Sequence, residues 1–545
     1  MIFRPGPKAS AALALAAGGL AAIAQPPFGI LPGLLGYALL AHLVDAAPDR
    51  RPLRAAFWRG WLCGFAYFLI GCWWVAEAFM VDARQIWMAP FAASLLPAGL
   101  GLLWGAAMVL YRWLRPERPW RWLVFAGALT ALEWVRGHLL TGFPWNLPGE
   151  TWRAGSPISE SAAVIGAYGL TWITLAATAA FAALLTESGR RGRFVPPAFA
   201  ALALAGLWGS GELRLRHAVA PDAGAPVVRV VQPDVKEQAK FTEDNLRSIF
   251  FRYVSLTAAP ARQAPDIVVW SEGAIPLSAD ELLSPGGGWS AIIRQSLHPG
   301  ETLMFGAYRL TGPPAKPRAY NSLIAVRAEA EGLKVTGVYD KHRLVPFGEY
   351  LPAEQILQPL GFKDLAHLSD GFDFGPPPRP IAPVGAPPVQ PLICYESLFP
   401  DLVREAVNTG PVRPQWIVNV SNDSWFGVTS GPIQHLNQAS YRAIEEGLPI
   451  VRATPTGVSA IIDAYGRTIP GKLIGLGGIG LIDGPLPRAL PVTTYGRTGE
   501  APLGALLVLS VLAAIHRLRD IVRRTPMTIR SPWRKDGAPP RQRDN

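Results

Sequence analysis

The chain is short of charge and of cysteine. Of its 545 residues only 17% are Asp, Glu, Lys or Arg, where an ordinary soluble domain carries about 25%, so it cannot face water on every side. Three cysteines exclude a disulfide-stapled secreted scaffold. No His/Cys/Asp grouping has zinc-ligand spacing and no glycine-rich phosphate loop occurs, so no metal, nucleotide or other cofactor is expected. The low hydrophobicity of a disordered chain is also missing, since 50% of residues are hydrophobic and mean hydropathy is +0.21. The 55 glycines and 53 prolines follow no triplet period, which rules out a collagen-like chain. What remains is a membrane protein carrying a soluble domain.

The net charge of +11 does not indicate nucleic acid. From Arg517 onward nine basic residues face three acidic ones, which accounts for six of those charges, directly after an apolar stretch. A basic flank on a hydrophobic span is the usual cytoplasmic anchor of a membrane helix. Long apolar stretches fall near Ala11–Ala24, Phe28–Val44, Gly60–Met80, Met88–Tyr111, Trp122–Val135, Ser161–Leu185, Phe194–Ser210 and Pro502–His516, giving a bundle of about eight spans. Arg4, Lys8 and Ala22-Ile23-Ala24 have the form of a signal peptide, but Pro26, Pro27 and a new span follow at once, which favours a retained first helix. Basic residues gather in alternate loops, at Arg50–Arg59, Arg112–Arg121 and Arg190–Arg193. Those loops are expected in the cytoplasm. The stretch from about Leu213 to Pro502 then lies on the far side, as the basic tail independently requires.

Past Val227 the texture changes to short β-rich runs: Val227–Val231, Asp266–Trp270, Leu303–Ala307, Ser322–Val326, Val335–Tyr339, Leu392–Tyr395, Trp416–Val420, Ile450–Ala453 and Val458–Ile462. Helical patterns at Glu243–Leu256 and His435–Glu446 lie between them, which implies an α/β domain. The Pro-rich stretch Gly375–Gln390 reads as a loop. The organisation expected is a membrane domain over 1–212, an α/β domain over 226–488, a last span over 500–517 and a basic tail over 518–545.

Cys63 and Cys72 fall within a span and read as small apolar packing. Cys394 is the one cysteine of the far-side domain, at a strand-to-helix junction in Pro-Leu-Ile-Cys-Tyr-Glu. Such a junction exposes a side chain beside backbone N–H groups, which suits a nucleophile, although a buried inert thiol is the other reading. Glu272 and Lys341 likewise end apolar strands. A carboxylate raised by partial burial serves as base to a thiol, and a nearby ammonium steadies a thiolate or an oxyanion. Singly each reads as a solvated strand end; the three together are the signal.

The order Glu272, Lys341, Cys394 resembles the Glu-Lys-Cys triad of the nitrilase superfamily of carbon–nitrogen hydrolases. The surrounding segments Asp340–Pro352, Ile393–Ser397, Asn419–Gly427, Gln434–Gly447 and Arg452–Val458 are similar to its membrane branch, the apolipoprotein N-acyltransferases. So is Glu133-Trp-Val-Arg-Gly with Thr141-Gly-Phe-Pro-Trp145. The resemblance covers nearly the whole chain outside the tail. It implies a four-layer αββα domain on the periplasmic side of a bacterial inner membrane, acting by two-step acyl transfer. A phospholipid (phosphatidylethanolamine expected) would give its sn-1 chain to Cys394, and the α-amino group of a diacylglyceryl-modified N-terminal cysteine would take it. Glu272 would be the base, with Lys341 and backbone N–H groups on the oxyanion. Glu349 would support them, and Tyr395 and Glu396 would line the pocket.

Trp425 and Phe426, like Ile356, Leu357, Leu360 and Phe362, fit a lipid contact or lid and equally a local apolar cluster. Two positions depart from the family pattern: Phe241 stands where a Trp is expected, and Pro455 where Asn is more frequent. A membrane-anchored amidase or nitrilase with the same triad would need a single anchor helix. A transporter would need a charge relay that Glu77 and Glu133, near span ends, do not form.

Overall fold

The computed structural model describes residues 5–48, 50–116, 120–187, 189–240, 243–313, 315–352 and 371–524. The expectations for Phe241, for Ile356, Leu357, Leu360 and Phe362, and for the tail beyond Pro526 lie outside the described residues.

The apolar stretches form helices. Pro52–Cys72, Ala83–Leu114, Arg121–Thr141, Ile158–Thr186 and Arg190–Arg216 are long and apolar enough to cross a membrane, while Pro7–Ile23, Leu31–Asp45 and Ala501–Ile515 are shorter apolar helices. The third stretch is shifted from the expected Gly60–Met80. Its helix starts at Pro52 and ends at Cys72, and Val75–Ala78 forms a separate short turn. Arg54 and Arg59 therefore belong to the helix rather than to a loop; Arg59 is accommodated by donating to the Leu43 carbonyl and, at 3.1 Å, to Ser10 Oγ. Proline at the first helical position explains the early start, because its missing N–H costs nothing there.

Small residues set the helix spacing. Gly60 and Gly64 lie against the next helix, and Gly105 of that helix against the Phe57 ring; a Cβ on Gly60 would lie 2.5 Å from the Trp104 carbonyl oxygen, and one on Gly64 3.0 Å from Gly101 Cα. With no water to expel between helices in lipid, such close backbone approach supplies the association.

The α/β region contains two sheets. The first has the order β11-β1-β2-β3-β4-β5, from Gly480–Pro485, Val227–Gln232, Ile267–Val269, Thr302–Thr311, Arg318–Glu329 and Gly332–Asp340. The second has the order β10-β9-β8-β7-β6, from Thr468–Ile474, Ser459–Ile462, Ile450–Ala453, Trp416–Val420 and Val389–Ile393. Each sheet has three parallel strands, β1-β2-β3 and β6-β7-β8, extended by antiparallel ones. Val228, Val230, Ile267, Val269 and Met304 of the first sheet share an apolar core with Val389, Ile393, Trp416 and Val418 of the second. Helix Glu243–Thr257 packs its Ile249, Phe250 and Tyr253 on the other face of the first sheet.

β10 and β11 escape the sequence reading because both are edge strands interrupted by Gly and Pro: β10 carries Pro470-Gly471 at a register break, and β11 carries Gly484-Pro485. The sixth strand ends one residue before Cys394, not at Tyr395 as expected.

Helix Gly431–Glu446 joins the two halves. Its Gln434 Oε1 accepts from the indoles of Trp74 at 3.1 Å and Trp145 at 2.9 Å, and Gln438 donates to Asn146 Oδ1 at 3.1 Å. Asn437 donates to the Glu150 carbonyl at 2.9 Å, and Glu445 accepts from the Ala167 N–H at 2.8 Å. At its end Glu446 is buried, and burial followed by neighbouring Glu445 pushes its carboxyl up to about 8 against the opposing Arg404, Arg442 and Arg413. A carboxyl raised on folding binds its proton more tightly in the native state. Its stabilising contribution is full below the ordinary value near 4.5 and is lost as pH rises to about 8. Glu446→Gln is therefore expected to raise the apparent Tm by several degrees at pH 8.5 and to leave it unchanged at pH 4.5, read by thermal unfolding in detergent at both pH values.

Candidate active site

In a parallel sheet, ligands collect where strands end. Here the ends of β2, β5, β6 and β7 converge. Cys394 leaves β6 with φ +50, the left-handed region, and starts a turn over Cys394–Leu398. An L residue is held there only when its surroundings over-determine it. The Cys394 carbonyl accepts from Ser397 Oγ at 2.9 Å and lies 3.2 Å from His435 Nε2. His435 Nδ1 is 3.0 Å from Asp423 Oδ1, and Asp423 in turn takes two bonds from Arg452, at 2.8 and 2.9 Å. Burial raises the Asp423 carboxyl, but Arg452 and His435 outweigh it and hold it at about 2. Burial and Arg452 push the His435 imidazole down.

Glu272 follows β2, and its turn lies against Gly306 of β3, where a Cβ would come within 2.5 Å of Glu272 Cα. Only glycine permits that approach. Glu272 Oε1 accepts from Asn321 Nδ2 at 2.7 Å and from Lys341 Nζ at 3.2 Å, while Oε2 accepts from the Asn422 N–H at 2.9 Å. Lys341 follows β5 directly and also reaches Glu349 at 2.9 Å; Asn321 bridges to the same Glu349 oxygen at 2.7 Å. Glu349 Oε2 closes the loop by accepting from the Val345 N–H at 2.8 Å. One ammonium and one amide thus hold two carboxylates together, with Lys341 1% exposed and Glu272 and Cys394 each 8%.

The electrostatics differ from the expectation that burial would raise the carboxylate. Burial does push Glu272 up, but Lys341, Asn321 and the Cys394 thiol, each bonded to it, bring it below the ordinary carboxylate range. Cys394 is pushed up to about 12, by burial and then by Glu272, with Lys341 and the Ser421 hydroxyl opposing. Burial lowers Lys341, yet Glu272, Glu349 and Cys394 raise it overall, so it stays charged. The resting site is an ionised Glu272, a charged Lys341 and a neutral thiol.

Tyr395 donates its hydroxyl to the Gly142 carbonyl in the loop after helix Arg121–His138. That loop is held by Arg136, which donates to the carbonyls of Phe143 and, at 2.9 Å, Trp145, and pairs with Glu133. Glu396 is completely buried, and its carboxylate accepts from Tyr339 Oη at 2.9 Å and from the N–H groups of Ile393, His342 and Arg343 at 2.8, 2.8 and 3.2 Å. It ties the strand before Cys394 to the segment after Lys341. Phe426 sits among Trp74, Trp145 and His435, with ring centroids at 4.6, 5.6 and 5.7 Å, so it belongs to a local apolar cluster. Trp425, half-buried, lies in the turn Asp423–Phe426.

The sequence reading missed Asn321, Ser397, Asp423, His435 and Arg452 as site residues. Asn321 carried a signal: it continues the alternation of Leu323 and Ala325, both in the inter-sheet core, yet is polar. Among the described residues no cluster of His, Cys, Asp and Glu has the form of a metal site.

Residues 17–180 match the family described as apolipoprotein N-acyltransferase N-terminal domain, and residues 228–487 match the carbon–nitrogen hydrolase family. An apolipoprotein N-acyltransferase of Caulobacter vibrioides is 54% identical over 522 residues, covering 95% of this chain and 97% of that one. The chain belongs to the apolipoprotein N-acyltransferase family. Its namesake in Rhodopseudomonas palustris is 38% identical over 526 residues, 93% of this chain and 95% of that one. Among solved structures, a mutant amidase from Nesterenkonia sp. AN1 overlays with a TM-score of 0.33 at 17% identity, over 53% of this chain and 99% of that one. The carbon–nitrogen hydrolase match contains Glu272, Lys341 and Cys394, and the N-terminal match contains the Glu133–Trp145 stretch that anchors Tyr395.

Proposed function

We propose that this protein is an apolipoprotein N-acyltransferase that moves the sn-1 acyl chain of a phospholipid, with phosphatidylethanolamine as the donor, to the α-amino group of a diacylglyceryl-modified N-terminal cysteine. Family membership supports the reaction. The observation that carries the mechanism is the convergence of Glu272, Lys341 and Cys394 from separate strand ends into one hydrogen-bonded group.

In the first half-reaction the Cys394 proton passes to Glu272 as sulfur adds to the ester carbonyl. Lys341 and backbone N–H groups beside Cys394 hold the oxyanion. Collapse breaks the ester C–O bond, the lysophospholipid oxygen takes the proton from Glu272, and a thioester remains. In the second the amine adds to the thioester, its proton passes to Glu272, and the sulfur leaves and is reprotonated. An ester and an amine become an amide and an alcohol, with no water consumed. The near-complete burial of the group supports this, because a thioester persists only where water is kept away. Glu349 and Asn321 orient Lys341 and Glu272, Glu396 and Tyr395 fix the turn that carries the nucleophile, Trp425 meets lipid, and Phe241 serves as a pocket aromatic in place of the expected Trp.

The architecture proposed is about eight spans over 1–212 and 500–517, a four-layer αββα domain over 226–488, and a cytoplasmic tail over 518–545. The positive-inside distribution of Arg and Lys supports a catalytic domain on the periplasmic side of the inner membrane.

Intact mass spectrometry after incubation with phosphatidylethanolamine tests the reading. The wild type is expected to gain one hydroxylamine-sensitive acyl group, discharged as an amide by a diacylated lipopeptide, and Cys394→Ala to gain none. A folded wild type with no adduct would overturn it in favour of hydrolysis of a small amide.

A further inference from the structure

Lys240 is a second ammonium at this site for which the triad has no use. It ends the short helix Glu237–Lys240, and its side chain is 6% exposed. Among the described residues its ion-pair partner is Glu237, at 3.3 Å. Glu237 Oε2 is already engaged, accepting from Asn422 Nδ2 and Ser424 Oγ at 2.8 Å each. The backbone N–H of that same Asn422 donates to Glu272 Oε2 at 2.9 Å. Lys240 is thus connected to the base through two residues, Glu237 and Asn422. On the other side its Nζ lies 3.7 Å from where a Cβ would sit on Gly273, the residue directly after Glu272; among the described residues, that glycine's chain neighbours aside, nothing else comes within 4 Å of that point.

An ammonium has three N–H donors, and a buried one is costly unless it is paired and its hydrogen bonds are filled. Among the described residues, one shared carboxylate at 3.3 Å leaves N–H donors over. The position of Nζ beside Gly273 puts an anion bound to Lys240 next to the Glu272 turn. Lys is a point-charge phosphate binder and needs no bidentate geometry. In a glycerophospholipid the phosphodiester lies a few bonds from the ester that Cys394 would attack.

We infer that Lys240 binds the phosphodiester of the acyl donor and so makes the site select a phospholipid over a neutral ester. Glu237 is its positioning residue, held by Asn422 and Ser424. This inference rests on the acyl-enzyme reading above.

The experiment compares two donors with the full-length enzyme in detergent and no acceptor present. Acylation by phosphatidylethanolamine is followed by intact mass, and acylation by p-nitrophenyl palmitate, which has no phosphate, by the p-nitrophenolate burst. Lys240→Met is expected to raise the half-saturating phosphatidylethanolamine concentration by roughly tenfold to a hundredfold, the usual range for losing a charge-assisted contact. The palmitate burst should change by less than about threefold, and Lys240→Arg should recover most of the loss with the phospholipid. The pair Lys240→Met with Glu237→Gln leaves no orphaned carboxylate and is expected to show the same donor-selective loss. Equal losses with both donors, or a loss with neither, would overturn the inference. A wild type acylated by neither donor would instead overturn the acyl-enzyme reading itself.

Discussion

Glu272→Gln is expected to slow acyl-enzyme formation by about a thousandfold near neutral pH, within the range of ~10²–10⁴ that a general base contributes. Gln keeps the shape and still accepts from Lys341, so a fold-level loss is not expected. The pH profile is the decisive readout. In the wild type, Glu272 is ionised well below neutrality, because Lys341, Asn321 and Cys394 hold it below the carboxylate range against its burial. Acylation should therefore be nearly flat from about pH 6 to 8, with its acid limb below the ordinary Glu value. Without the base, the thiol must ionise unaided. Its pKa is pushed up to about 12, so the rate of Glu272→Gln should climb close to tenfold per pH unit across the same range. Removing the Glu272 charge also removes one of the two main causes of that upward shift, so the climb should level off below 12. A flat profile in the variant would mean that another group takes the proton. Pulsed acylation with phosphatidylethanolamine across pH, quenched for mass spectrometry, measures both curves.

Much of the fold was legible because its causes are local. Alternating β-branched runs identified nine strands to within a few residues, with β2, β7 and β8 fully contained in or identical to the expected segments. The apolar helices were legible from length and composition. Boundaries were not: helix Pro52–Cys72 begins among arginines that a hydropathy reading assigns to a loop, and Arg59 is tolerated only because Leu43 and Ser10 accept from it. β10 and β11 exist because a neighbouring strand needs an edge partner, which no local propensity records. At the site, the three residues with reactive chemistry could be chosen by type and strand-end position. Asn321 could not, since an amide gains its meaning from the two carboxylates it bridges, 49 and 28 residues away. His435 is similar: it lies on a helix joining the two halves and acts on the Cys394 carbonyl 41 residues back in the chain. The direction of the Glu272 shift was misjudged for the same reason. Burial was visible in the sequence, and the donors that outweigh it were not.

Lys341→Met is expected to abolish acylation and also to destabilise the domain, the two effects having different causes. Among the described residues, Lys341 is the one cation bonded to both Glu272 and Glu349, at 3.2 and 2.9 Å. Removing it leaves two nearly buried carboxylates on one Asn321 amide. Breaking a buried pair in this way costs about 3–5 kcal/mol, which should lower the apparent Tm by on the order of 10 °C. With the ammonium gone, one carboxyl takes up a proton in the folded state, so its native pKa rises. Stability should then be regained as pH falls toward the ordinary Glu value and lost as pH rises. Adding Glu349→Gln removes one of the two like charges. The double variant is expected to recover most of the Tm at pH 7.5 while acylation stays at least about a thousandfold below wild type, since nothing then holds the oxyanion from that side. If activity returned together with stability, Lys341 would be only the counter-ion of Glu349. If neither returned, Glu349 would have a duty at the site beyond pairing with Lys341, and its bond to the Val345 N–H, which orders the segment after Lys341, would be the next contact to break.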